Sequence, residues 1–183
     1  MIAIMSAPID AVFRQLPATA RKFAKGAFLF HQTEPIVVIH RVTKGAAQLR
    51  RQQAAGSVLV LQRATGGDVL AEASLFATHY HCDAMALVPT ETLAVGVAAL
   101  RRQLAVEPAL AEAWAAHLAL EVQAARLRAE ILALRTVADR LDAWLAWHDG
   151  KLPPRGEWKL VADEIAVSPE ALYRELTRRR RDG

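Results

Sequence analysis

The sequence predicts an α+β chain in three consecutive parts: an antiparallel β-roll, one long helix and an all-α C-terminal segment. Three observations lead there. Up to residue 96, short apolar runs are punctuated by Gly26, Gly45, Gly56 and the pair Gly66-Gly67, the mark of short strands joined by turns. Beyond Pro108, residues Leu110, Ala113, His117, Leu120, Ala124, Leu127, Ile131 and Leu134 alternate at spacings of three and four, which is a heptad seam. Residues 160–176 then read as two short helices around a tight turn, with Ser168 as N-cap and Pro169 in the first position of the second helix. The expected boundaries are 1–106 for the roll, 107–134 for the long helix and 135–183 for the C-terminal segment.

Residues 7–16 are expected to form a short helix. Strands are expected at 27–31, 35–42, 46–51 and 57–63, the last two partly alternating apolar with polar residues. A helical turn over 71–77 and two more strands at 82–88 and 91–95 complete the roll. A helix at 97–104 precedes the long one, which proline can open from its first turn. The seam calls for a partner helix, and because a single long helix between two domains has little chain of its own nearby, the partner is a second copy. Its core positions would be Leu120, Leu127, Ile131 and Leu134. Trp114 and Leu118, on a flanking stripe, are expected to pack on the chain's own roll.

Composition narrows the function classes. A 53% hydrophobic content excludes a disordered chain. The only cysteine, Cys82, excludes an internal disulfide framework. The apolar start, Met1 to Met5, is too short for a signal sequence or a membrane span, so a cytoplasmic protein without a membrane partner is expected. The net charge of +4 is compatible with a nucleic-acid partner. Its distribution says more, because Arg178, Arg179, Arg180 and Arg181 follow the second C-terminal helix directly. Leu160, Ile165, Val167, Leu172 and Leu176 give that helix pair an apolar face, leaving Glu170, Tyr173, Arg174 and Thr177 opposite it. Such a helix fits the major groove of double-stranded DNA, with the arginine run near phosphates.

Catalytic patterns are absent from the sequence: there is no Walker loop, no nucleophile elbow and no dinucleotide fingerprint. A non-enzyme is expected. His79, His81 and Cys82, with Asp83, place imidazole, thiol and carboxylate within five residues, a composition that could hold a metal or haem or expose a redox-sensitive thiol. Against this stands the ordinary behaviour of a lone strand cysteine, which is a small buried hydrophobe. A cupin-type metal site fits poorly, because Ala73 stands where glycine is expected, Met85 or Ala86 where the carboxylate is expected, and Asp83 lies too close to His81.

A roll, a dimerising helix and a helix-turn-helix in this order resemble the Crp/Fnr family of bacterial transcription regulators. The resemblance rests on Lys25–Gln32 (KGAFLFHQ), Val42–Leu49 (VTKGAAQL) and above all Gly66–Phe76 (GGDVLAEASLF), which looks like the family's phosphate-binding cassette. It implies a double-stranded β-helix of the cyclic-nucleotide-binding type. It also implies a sequence-specific DNA-binding regulator, homodimeric, controlled by an effector or redox signal in the roll, with RNA polymerase as a further partner. The alternative is a ligand-sensing or protein-interaction module that has lost DNA binding.

Carried over residue by residue, the resemblance gives an effector pocket of Glu72, Ala73, Ser74, Leu75, Cys82 and Asp83. Glu72 matches the ribose-binding glutamate. Cys82 falls where the family's phosphate-binding arginine stands, and a thiol cannot replace a bidentate guanidinium. Cyclic AMP is therefore not the expected effector, whose identity the sequence leaves open. The specificity triplet maps to Glu170, Tyr173 and Arg174, with Ser168, Thr177 and the four arginines as further DNA contacts. Two departures are expected to matter. Ala166 occupies the turn position where the family has glycine, and the chain ends after the second helix, so the family's β-hairpin wing is expected to be missing.

Overall fold

The computed structural model describes residues 7–54, 56 and 58–182. The apolar start at Met1 to Met5, Ser57 at the head of the expected 57–63 strand, and Gly183 lie outside them. Two compact units, residues 1–121 and 122–183, divide within the long helix.

The first unit opens with α1 (Ala7–Arg14), which buries Ile9, Val12 and Phe13 in the core of the roll. Eight strands follow: β1 (Ala18–Phe23), β2 (Phe28–Phe30), β3 (Val38–Lys44), β4 (Ala46–Gln52), β5 (Val58–Thr65), β6 (Val69–Leu70), β7 (Asp83–Ala86) and β8 (Thr90–Gly96). They form two four-stranded antiparallel sheets, ordered β1-β8-β3-β6 and β2-β7-β4-β5. Inner-face residues Ile39, Val42, Ala47, Leu49, Ala64, Leu70, Ala84 and Val95 make one core, each large aliphatic worth about 1.5–3 kcal/mol on burial. Gly45 joins β3 to β4 with φ +85°, and a Cβ there would collide with the Pro89 carbonyl oxygen. No side chain fits that turn.

The last strand, expected at 91–95, runs over Thr90–Gly96. Two strands escape the sequence pattern. β1 is an edge strand whose residues are almost all exposed, so no apolar alternation marks it. β6 is only two residues long.

The helices α2 (Val97–Val106) and α3 (Pro108–Ala133) follow. Leu110 and Trp114 are buried in the roll core, with Ala113 and Leu118 packed against it. The expected stripe of Trp114 and Leu118 thus lies on the roll, and two seam positions, Leu110 and Ala113, join it there.

In the second unit, Ile131 near the end of α3 belongs to a separate core with Leu141, Trp144, Val161, Ala162, Ile165, Leu172 and Leu176. That core is made by α4 (Val137–Trp147), α5 (Trp158–Glu164) and α6 (Pro169–Asp182). Thr136 caps α4 by accepting from the Asp139 amide at 3.0 Å, and its hydroxyl donates to the Asp139 carboxylate at 2.6 Å. Among the described residues, no helix is long and apolar enough to cross a membrane.

Candidate nucleic-acid interface and effector pocket

α6 begins where the sequence says it should. The Ser168 hydroxyl accepts from the Ala171 amide at 3.2 Å, and Pro169 occupies the first turn. Ahead of it, Ala166 has φ +51°, a left-handed conformation that costs a non-glycine residue about 1 kcal/mol. The departure from glycine at this turn is therefore carried as strain.

Helical periodicity splits α6 into two stripes. Leu172, Glu175, Leu176 and Arg179 face the other helices of the unit. Leu172 and Leu176 lie in the core, and Arg179 donates to Glu175 at 2.7 Å, to Asp142 and to the Ala138 carbonyl at 3.1 Å. Glu170, Tyr173, Arg174, Thr177, Arg178 and Arg181 form the other stripe. The four arginines are thus not one tail: α6 runs on to Asp182 and winds Arg179 back onto α4.

Tyr173, Arg174, Thr177, Arg178 and Arg181 line an open groove along α6. The Tyr173 ring lies 5.5 Å from that of Trp158, over which Arg155 sits at 5.9 Å, so the tyrosine is braced rather than free to swing. Arg178 holds Glu175 through two bonds of 3.0 and 2.8 Å. Together Arg178 and Arg179 push the Glu175 carboxyl down to about 2. The Glu170 carboxyl is also lowered, by its own backbone N–H and by the Ser168 hydroxyl. Thr177 donates to the Tyr173 carbonyl at 2.8 Å and accepts from Arg180 at 3.3 Å. Arg174 is exposed.

In the roll, the turn Glu72–Ser74 follows β6, entered through Ala71 at φ +72°. Glu72, Ser74, Leu75 and Cys82 are buried, while Ala73 is exposed. Asp83 takes no part in this inner wall, since its carboxylate accepts from the Gln32 amide at 2.7 Å. Burial pushes the Cys82 thiol up to about 11, which keeps it protonated and poor in the thiolate that redox chemistry needs. The rings of His79 and His81 engage the hydroxyls of Thr78 and Ser74 at 2.9 and 3.0 Å. Among the described residues, no three of His, Cys, Asp and Glu come together to hold a metal ion.

Sequence reasoning missed Arg51. β4 pairs with β7 through Leu49 to Ala84 and Arg50 to Asp83, so Arg51 and Cys82 are the next residues beyond the end of that ladder. The Arg51 Nη2 donates to the His81 carbonyl at 2.8 Å, and its buried Nε has no partner among the described residues. A guanidinium from β4 thus acts electrostatically on Cys82, the position to which the resemblance assigns an arginine. The period-2 pattern of Ala47, Leu49 and Arg51 was the available signal.

Residues 20–107 match the cyclic nucleotide-binding domain family. This chain has the Crp/Fnr-type fold. The structure of FixK2 from Bradyrhizobium japonicum superposes with a TM-score of 0.78 at 20% identity, covering 92% of this chain and 87% of that one. TTHB099, a CRP-family transcriptional regulator from Thermus thermophilus, gives 0.70 at 17% identity over 89% and 85%. The sensor domain of the transcriptional regulator DNR from Pseudomonas aeruginosa gives 0.55 at 27% identity over 71% and 87%. No curated protein matches by sequence.

Proposed function

We propose that this chain is a dimeric, sequence-specific DNA-binding transcription regulator that reads the major groove with α6 and responds to an effector in the roll. The observation that carries this reading is the division of α6. One stripe is consumed by its own unit, while Tyr173, Arg174, Thr177, Arg178 and Arg181 line an open groove, with exposed Glu170 at the start of the same stripe. Arg174 would take guanine O6 and N7 bidentately, Glu170 would accept from a cytosine amino group, and Arg178, Arg180 and Arg181 would meet phosphates. The folds of FixK2 and TTHB099 support the same reading.

Dimerisation would use α3. Leu110, Ala113 and Ile131 of the heptad pattern are already packed in their own units, and Leu134 follows the last residue of the helix. The seam that remains centres on half-buried Leu120, Ala124 and Leu127. Leu127→Asp would place two carboxylates in an apolar interface at a cost of several kcal/mol. Light scattering should find that variant monomeric, and an unchanged dimer would move the interface elsewhere.

In the roll, Glu72 and Arg51 would hold the effector, with Cys82 in the arginine's usual place and cyclic AMP not the expected ligand. Binding there would shift the packing of the α3 pair and with it the spacing of the two recognition helices. The direct experiment selects duplexes from a random pool and titrates the winner by fluorescence anisotropy at several salt concentrations. Specific, salt-dependent binding is expected. Failure to enrich any duplex would favour an interaction module that has lost DNA binding.

A further inference from the structure

One side chain, Arg140 on α4, touches both ends of the machinery in the second unit. Its Nε donates to the Leu134 carbonyl at 2.8 Å and its Nη2 to the Leu132 carbonyl at 3.0 Å, at the end of α3. Its Nη1 donates to the carbonyls of Ile165 and Ala166 at 3.0 and 3.1 Å, in the turn between α5 and α6. All four acceptors are backbone carbonyls, and they come from the C-terminal ends of two helices, where unsatisfied oxygens carry partial negative charge. A planar guanidinium that never loses its proton can serve both ends at once; an ammonium is a single point of charge on a flexible stem. The turn it grips contains the left-handed Ala166, so the clamp also helps hold a strained residue in place.

We propose that Arg140 is a positioning residue that makes the end of α3 and the turn ahead of α6 move as one body, so that a displacement of α3 is delivered to the recognition helix. The delivery to DNA rests on the DNA-binding reading, whereas the exchange test of the coupling does not. The amides concerned are those of Leu134, bonded to the Ile131 carbonyl, and of Ile165, Ala166 and Val167, bonded to the carbonyls of Val161, Asp163 and Ala162.

In the full wild-type chain, hydrogen exchange across a urea series should show these four amides opening with one common free energy and one common urea dependence. Two different opening energies would overturn the proposal, and this measurement needs no variant. Arg140→Lys should then raise exchange at both segments at least ten-fold, each with its own opening energy, while the amides of the buried α4 residues Leu141 and Trp144 keep their protection. A uniform rise across residues 122–182 would reduce Arg140 to a general stabiliser and overturn the proposal, as would unchanged exchange. On the duplex selected by the wild type, Arg140→Lys should lose at least ten-fold in affinity while remaining dimeric; unchanged affinity would refute delivery to α6. If no duplex is ever selected, the DNA-binding reading fails while the exchange data still decide the coupling.

Discussion

In the roll, His40, Gln62, Glu72 and Ser74 are buried, with His40 bonded to Thr92 at 3.0 Å, Gln62 to Glu121 at 3.1 Å and Ser74 to His81 at 3.0 Å. In the C-terminal unit the buried residues are apolar, and most of the polar work is done by half-exposed charged side chains: Arg140 on two sets of carbonyls and Arg179 on Glu175 and Asp142, with the neutral indole of Trp144 donating to the Glu164 carboxylate at 2.8 Å. The first arrangement keeps hydrogen-bonding groups inside the core of the roll. The second suits a small platform that keeps one helix face clear for a large partner. Two sheets supply the roll with a wide apolar interior, whereas three short helices offer too little area to hold themselves by burial alone.

The sharpest break between the two units should come from a cavity in the smaller core. Leu172 is fully buried there, and Leu172→Ala should cost about 2–5 kcal/mol. Calorimetry should then resolve two transitions, with the C-terminal unit melting first and the roll unmoved. A single transition shifted as a whole would show that the units unfold as one.

Acid should attack them in the opposite order. Burial lowers the His40 imidazole to about 4. The unfolded chain takes up that proton near 6.5 while the folded roll resists it until about 4, so stability present above pH 6.5 is lost as pH falls through this window, by about 3 kcal/mol in all. Glu175, held at about 2 by its arginines, keeps its contribution above pH 4.5 and gives it up only as pH falls toward 2. Between pH 6.5 and 4.5 the roll should therefore weaken alone, as followed through the fluorescence of Trp114 against that of the C-terminal tryptophans. A roll insensitive to this range would contradict a neutral, buried His40.

The same contrast decided what the sequence made legible. Apolar periodicity exposed the roll, the long helix and the pair α5 and α6, because each carries a regular apolar stripe. Edge strand β1 carries no such stripe and went unseen, and α4 was not singled out because its importance lies in Arg140 and Trp144 rather than in a pattern. For the candidate site, the helix cap at Ser168 and the outward stripe of α6 could be read directly. That Arg179 turns inward depends on how far α6 extends, and that Arg51 acts on Cys82 depends on the pairing of β4 with β7. Both are relations between distant segments, which a local period does not encode.

A smaller effect of opposite sign is expected at the strained turn. Ala166→Gly removes the penalty of φ +51° and should stabilise the C-terminal unit by about 0.5–1 kcal/mol, the gain partly offset by a more flexible unfolded chain. The urea midpoint of that unit should rise. A fall would mean that the alanine methyl packs more favourably than the strain costs.

The central claim is that α6 reads bases with one residue class and holds phosphates with another, and one titration separates them. Fluorescence anisotropy would compare wild type, Arg174→Ala and Arg181→Ala on the selected duplex and on a scrambled duplex, each at several salt concentrations. Arg174→Ala should lose about 1–3 kcal/mol on the selected duplex alone, with binding to the scrambled one nearly intact. Arg181→Ala should weaken both and lower the salt slope by about one for every phosphate that each subunit no longer neutralises. Equal losses on both duplexes for Arg174→Ala would contradict base reading by this helix.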